Sequence, residues 1–311
     1  MFNAFIQKIN VILSVFCKML KKTYILLFLI TLICVQSLYA SEPSNSGNIR
    51  SVARMYISNG DFQKAHTLAE QALRIAKYNA SENEIANCLL DLAYLCNEEG
   101  KFPAALKYAQ QAIDIQKKTL AGTHPYIAYS LRTLSSIYFN QQKLELAQTT
   151  LTSAISIMLK NHAAEERALS QFYIDMGKIL TAQSKYSDAD FYFSTAGKII
   201  NAAYGPEHLY AAIADSEIAK LRLLENNIPL AEQLITSSIL IQQKTYGSSN
   251  PMLASSQLTL AKICLIKADF SKAKELAASC LETIKQNCSS SHPLIKEANE
   301  ILLATNVIAK K

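Results

Sequence analysis

From about residue 45 onward, apolar positions recur three and four residues apart, with polar positions between them, the spacing of amphipathic helices. Leu131, Leu134, Ile137 and Tyr138 make one such face, and Leu151, Ile155 and Met158 make another. The faces come in pairs across short breaks, which predicts a helix, a tight turn and an antiparallel helix as the unit. One pattern marks the break: a small or polar residue, one residue, an aromatic or aliphatic, two residues, then Ala. It reads Gly60-Asp-Phe62-Gln-Lys-Ala65, then Gly100 to Ala105, Gln142 to Ala147, Ser184 to Ala189, Asn226 to Ala231 and Ala268 to Ala273. The closing alanines lie 40, 42, 42, 42 and 42 residues apart, so the chain is built from six copies of one unit.

Two further columns keep this register. Twelve residues before the closing alanines stand Ala53, Ala93, Ser135, Gly177, Ala219 and Ala261; seven after them stand Ala72, Ala112, Ala154, Ala196, Ser238 and Cys280. Every member is small, which marks where neighbouring helices approach most closely, since interaxial distance follows the side chains at the contact. Gly122, Gly205 and Gly247 follow second helices, where a left-handed cap suits Gly. Pro125, Pro206, Pro251 and Pro293 follow at helix-starting positions, where a missing N–H costs little.

These columns, with the Gly-x-Phe/Tyr-x-x-Ala break between them, resemble the tetratricopeptide repeat (TPR) family in its long, 42-residue form, as in kinesin light chains. The resemblance covers residues 45–290 as six repeats, with 291–311 as a capping helix. It implies an all-α, right-handed α-solenoid of six antiparallel helix pairs. It also implies a binding scaffold whose concave surface, lined by the first helices, grips a peptide or partner protein. The family's first-helix Tyr column reads Tyr56, Cys96, Tyr138, Leu180, Arg222 and Cys264, and Arg222 is the departure that puts the fifth repeat in doubt. Stacked units that touch only their neighbours give an open coil with an extended concave face and no deep enclosed cavity.

Residues 1–40 read differently. Lys18, Lys21 and Lys22 precede the apolar run from Tyr24 to Leu38, followed by Tyr39-Ala40-Ser41. A basic segment, an apolar stretch and a small residue at the exit describe a secretory signal peptide, with translation starting at Met1 or Met19. Leu38 stands where a small residue is preferred, so the rival reading is an uncleaved membrane anchor. Either way the expected location is exported, periplasmic or secreted, or tethered by this segment. Ile33 before Cys34 argues against a lipidated cysteine.

Composition agrees with helices and says little about a partner. Gly and Pro number only 8 and 7 of 311 residues, too few for turn-rich β folds, and 50% of residues are hydrophobic, which excludes a disordered chain. The net charge is +6; the first 40 residues hold four lysines and no acid, which leaves 27 basic against 25 acidic residues in the remainder. That balance gives no sign of a nucleic-acid partner.

Candidate chemistry is sparse. His124, His208 and His292 recur at intervals of 84 residues, two repeats apart, which places them on successive turns of the stack and not around one ion. Cys88, Cys96, Cys264, Cys280 and Cys288 are five cysteines, an odd number. Cys264 and Cys280 sit on paired helices, where either packed thiols or a disulfide would fit. No phosphate-binding glycine loop, His-Glu-x-x-His or nucleophile elbow occurs, so no catalytic, cofactor or metal residues are assigned. Asn79-Ala-Ser81 and Asn287-Cys-Ser289 fit the glycosylation sequon.

The groove-facing positions of the first helices are the most informative. One column reads Arg54, Tyr94, Ser136, Lys178, Lys220 and Lys262; neighbouring columns add Arg50, Asn97, Tyr129, Arg132, Phe139 and Asn140. Such groups suit a peptide, by charge-assisted hydrogen bonds and aromatic anchors. Asp175 and Glu217 lie three residues before Lys178 and Lys220, so neutralised pairs on a solvated face are the bland alternative. The expected function is a non-enzymatic protein–protein interaction scaffold. Its rivals are a self-assembling repeat module, a cytoplasmic peptide-sensing regulator and an enzyme with an inter-repeat site. Oligomeric state is left open.

Overall fold

A computed structural model describes residues 45–160, 166–247, 250–288, 290 and 292–308. The basic and apolar leader lies outside these residues, as does His162. Among the described residues there are helices and no strands, and no helix is long and apolar enough to cross a membrane.

The helices pair as the 42-residue register requires. They are α1 (Ser46–Ser58) with α2 (Phe62–Tyr78), α3 (Glu82–Glu98) with α4 (Phe102–Thr119), and α5 (Pro125–Asn140) with α6 (Leu144–Lys160). The series continues with α7 (Glu166–Ala182) and α8 (Tyr186–Tyr204), α9 (Leu209–Leu224) and α10 (Ile228–Tyr246), and α11 (Ala254–Ile266) and α12 (Phe270–Asn287); α13 (Pro293–Ile308) caps the stack. A single 3₁₀ turn, Pro251–Leu253, leads into α11. Each helix packs on its predecessor and its successor.

The three small columns are the contact lines of this stack. All six closing alanines are fully buried, and Ala53, Ala93, Ala219 and Ala261 share their state. Where the column holds Ser135, the hydroxyl donates to the Ala147 carbonyl at 2.7 Å, so a polar atom is accommodated at the closest crossing. Where it holds Gly177, a Cβ would lie 2.6 Å from the Phe193 ring, which shows how near α8 comes.

The opening position of each break has a backbone reason. Gly60, Gly100, Gln142, Ser184, Asn226 and Ala268 all take φ between +61° and +78°, the left-handed conformation that reverses the chain between paired helices. The preference for small or polar residues there follows from the Cβ penalty of that region. Gly205 and Gly247 also take positive φ at the ends of α8 and α10, but with ψ of 165° and 162° they are extended and not the left-handed caps expected, and Gly122 has no positive φ: α4 ends in an extended Leu120. Arg222 does not disturb the fifth repeat. It is paired with Glu225 at 2.6 Å and with Asp190 on α8, and α9 and α10 form normally around it.

The recurrence of His124, His208 and His292 is a capping device. Each Nδ1 accepts a hydrogen bond from the backbone N–H two residues on, Tyr126, Tyr210 and Leu294, at 3.2–3.3 Å. In the sixth repeat Asn250 does the same for Met252 at 2.9 Å. Removing the acceptor in His208→Ala should cost about 1 kcal/mol, as lost N-caps do. His208→Asn, which copies the sixth repeat, should be neutral. Chemical denaturation of the three proteins measures both.

The coil is not open. The turn after α1 meets the start of α11: Asn250 Nδ2 donates to the Ser58 carbonyl at 2.5 Å, across 192 residues. A Cβ on Gly60 would lie 2.5 Å from Pro251 Cδ, and one on Gly100 would lie 3.0 Å from His292 Cα. Tyr56 and Met252 pack against Ile57, Phe62, Ala65 and Leu95 in one apolar cluster that Cys288 also joins. The expectation of an extended face with no enclosed cavity is therefore corrected. Nearest-neighbour packing fixes the stack, but its cumulative rotation brings the first repeats against the last and closes a seam.

Candidate ligand lumen

Closure turns the concave face into a lumen of about 780 Å³. It is lined by the first helices of repeats two to six, with α13 and the seam completing the wall. Seven of the ten groove residues expected from sequence reach it: Tyr94, Arg132, Phe139, Asn140, Lys178, Lys220 and Lys262. They come from α3, α5, α7, α9 and α11, and their shared phase in the repeat is what brings them to one space.

The other three lie elsewhere. Asn97 is buried, donating to Ser136 Oγ at 3.2 Å and accepting from Asn140 at 3.1 Å, a rung between helices α3 and α5 and not a ligand contact. Arg54 belongs to the first repeat, off the lumen wall, where it pairs with Asp91 at 2.7 Å beside Arg50, also 2.7 Å from that carboxylate. The Tyr129 ring packs against Phe172, its centroid 5.6 Å away.

The cations of the lumen are matched by carboxylates. Arg132 Nε lies 2.6 Å from Asp175 and its Nη2 donates to Gln171 at 3.1 Å. Lys220 lies 2.8 Å from Glu217 and donates to Ser255 Oγ at 2.7 Å. Lys262 lies 2.9 Å from Glu297 on the capping helix. Lys178 is held more loosely, 3.9 Å from Asp175, with its ammonium over the Phe139 ring 5.5 Å from the centroid. Of the two neutralised pairs in the bland alternative, Glu217 with Lys220 forms, whereas Asp175 lies closer to Arg132 and leaves Lys178 with the longest ion pair of the four.

Sequence reasoning missed Glu98, one turn beyond Tyr94 on α3. Enclosure by protein pushes its carboxyl up to about 7; Lys178 opposes that shift and Asp175 adds to it. Burial works against the charged Lys178, but Glu217, Asp175 and Glu98 outweigh it and hold the ammonium above its ordinary value. Glu217 shows the reverse balance: burial would raise it, and Lys220 and Lys178 bring it below the usual carboxylate range. At the seam, burial lowers His292, partly offset by its hydrogen bond to the Glu98 backbone. No local motif signals Glu98, because the groups that set its state come from the fourth repeat.

The five cysteines among the described residues are free thiols, Cys264 and Cys280 included, so that pair is not bridged. Cys280 Sγ donates to Gln257 Oε1 at 3.2 Å, and burial pushes its thiol up to about 12. Cys280 is a packing element, since reactive cysteines sit in electropositive, accessible surroundings.

With this geometry in hand, the likenesses to known proteins fall into place. The model of the MalT-like TPR region matches residues 48–305. The chain belongs to that family. Protein KINESIN LIGHT CHAIN-RELATED 1 of Arabidopsis thaliana is 26% identical over 156 residues, which are 49% of this chain and 26% of that one. The chain thus spans about a quarter of the length of that curated relative. A Rap protein complexed with Competence and Sporulation Factor matches with a TM-score of 0.59 at 16% identity, over 84% of this chain and 74% of that one. BtubC (BKLC) from P. vanneervenii matches with a TM-score of 0.51 at 17% identity, over 79% and 91%. At these identities the structural likeness establishes the TPR solenoid, an architecture of protein-interaction scaffolds.

Proposed function

We propose that this TPR protein is a non-enzymatic scaffold that receives a short extended segment of another polypeptide in its lumen. One observation carries the reading: five successive first helices deliver alternating cations, carboxylates and amides, with Tyr94 and Phe139 among them, to one space of about 780 Å³. That volume falls within the range of small-ligand sites, roughly 300–1,000 Å³, so it suits a few residues of chain and not a folded domain. Donors and acceptors in alternation suit a peptide backbone better than an excess of either sign would. The Rap protein of like fold, which forms a complex with Competence and Sporulation Factor, supports binding as the role of such a surface. The leader-like residues 1–40 support work outside the cytoplasm, after cleavage or on a tether.

Selection of a random peptide library on the full chain tests this. Selected peptides should lose tenfold or more in affinity, about 1.4 kcal/mol, for Lys178→Glu combined with Lys220→Glu. Helicity by circular dichroism should be unchanged, and Lys198→Glu, exposed on α8, should bind like the parent. Peptides that bind the double variant and the parent equally would place the ligand site elsewhere. A concentration-dependent mass in light scattering would favour the self-assembling module instead.

A further inference from the structure

Four of the five junctions between successive repeats bring together residues from three positions: the residue after the closing alanine, the residue four before the left-handed turn, and the residue just before that turn. Between repeats four and five these are Asp190, Arg222 and Glu225, and the Arg222 guanidinium sits between the two carboxylates. Between five and six they are Glu232, Cys264 and Lys267, with the ammonium 2.7 and 2.8 Å from the two Glu232 oxygens. Between three and four Gln148 and Gln183 share an amide hydrogen bond at 2.9 Å. In these three junctions the trio supplies its own cation or its own hydrogen bond, although Gln183 Oε1, like the neutral amide oxygen of Gln141 in the remaining junction, is buried without a hydrogen-bond partner.

The junction between repeats one and two holds His66, Cys96 and Glu99, and among these three there is no permanent cation. Their ligand atoms lie within 4.8 Å of one another, with Cys96 Sγ 3.9 Å from His66 Nε2. Glu99 is only 6% exposed; Lys101 takes its Oε1 at 2.9 Å, and its Oε2 is buried without a hydrogen-bond partner. Glu70 lies 3.5 Å from His66 Nδ1, which favours the tautomer with the proton there and turns the Nε2 lone pair toward Cys96. A carboxylate behind a histidine in this way is the usual support of a metal ligand.

We propose that His66, Cys96 and Glu99 form a zinc site joining the first two repeats. Sulfur, imidazole and carboxylate donors together suit zinc, and Zn–S of about 2.3 Å with Zn–N of about 2.0–2.1 Å sets sulfur and nitrogen about 3.5 Å apart around a tetrahedral ion. A small approach from 3.9 Å achieves that. Calcium and magnesium, which take oxygen ligands, do not fit this set. Binding replaces the Cys96 thiol proton, released to solvent, with a sulfur–zinc bond; His66 keeps its Nδ1 proton, Glu99 Oε2 gains its partner, and a water fills the fourth position. Thirty residues separate His66 from Cys96, so no sequence motif signals the site.

Cobalt(II), a spectroscopic stand-in for zinc, tests the proposal on the full chain after chelation. One equivalent should give a thiolate-to-cobalt charge-transfer band with tetrahedral visible bands, all displaced by one equivalent of zinc. Cys96→Ser should abolish the charge-transfer band, His66→Gln should weaken zinc binding at least tenfold, and Cys264→Ser, in the same column, should retain both. Zinc should raise the melting midpoint of the parent and leave that of His66→Gln unchanged. Absence of the band, its survival in Cys96→Ser, or full zinc affinity in His66→Gln would each overturn the assignment.

Discussion

Ala147→Arg is expected to unfold the centre of the stack. Ala147 is fully buried in the apolar cluster that also holds Leu151, Ala154 and Ala189, and its carbonyl accepts the Ser135 hydroxyl at 2.7 Å, so a second helix stands directly over it. Overfilling such a contact costs about 1–3 kcal/mol. An unpaired guanidinium among these apolar groups adds several kcal/mol more, because nothing there solvates or neutralises it. Together the two effects approach the whole stability of an ordinary domain, roughly 5–15 kcal/mol. Since repeats lean on their neighbours, repeats three and four should melt together and take their interfaces with them. The neighbouring Leu146, 51% exposed on the same helix, is the control: Leu146→Arg should shift stability by no more than about 0.5 kcal/mol. Thermal and chemical denaturation followed by circular dichroism distinguishes them. A stable, cooperatively folding Ala147→Arg protein would show that the small column is not where the helices cross.

That column is also the measure of what the sequence carried. The register was legible because the closest crossing admits only small side chains, a requirement that each of the six repeats restates in its own residues. The break motif was legible for a related reason, since its first residue must tolerate positive φ and its last must fit beneath a helix. Closure of the ring was not legible. Gly60 and Pro251 meet through the sum of small rotations over five repeats, and no single junction encodes that sum. The site shows the same division. Tyr94, Lys178, Lys220 and Lys262 share one phase of the repeat and therefore reach the lumen together, as their column predicts. Asn97 is drawn into the wall by Ser136 and Asn140, and Glu98 acquires its raised carboxyl from Asp175 and the surrounding protein, relations that link separate repeats and leave no local mark. The evenly spaced histidines were visible, but their capping role depends on which ring nitrogen faces the chain.

The seam yields the second large effect, and two glycines isolate it. Gly60 and Gly205 both have positive φ, +78° and +84°, Gly205 with an extended ψ of 165°. A Cβ at Gly205 meets nothing within 4 Å, whereas one at Gly60 would lie 2.5 Å from Pro251 Cδ and 3.2 Å from Asn250 Oδ1. Gly205→Ala should therefore lose only the backbone penalty of a non-Gly residue at that φ and ψ, on the order of 1–3 kcal/mol. Gly60→Ala should lose a left-handed penalty of about 1–2 kcal/mol and roughly a further 1–3 kcal/mol from overpacking, unless the seam parts to relieve it. Parting is the expected response, because the first and last repeats join here through few bonds while each is packed extensively on its own neighbour. Small-angle scattering should then show a larger radius of gyration for Gly60→Ala and none of this for Gly205→Ala. Asn250→Ala approaches the seam from the other side, since it deletes the bond to the Ser58 carbonyl, a second bond from the same amide to the Tyr246 carbonyl at 3.2 Å, and the cap on Met252. His208→Ala removes an equivalent cap away from the seam, so the excess loss in Asn250→Ala measures the two amide hydrogen bonds, the cross-seam one included. If the paired variants behave alike in both comparisons, the ends do not meet in solution and the lumen is a groove; if the seam variants alone expand, closure is what gives the lumen its walls.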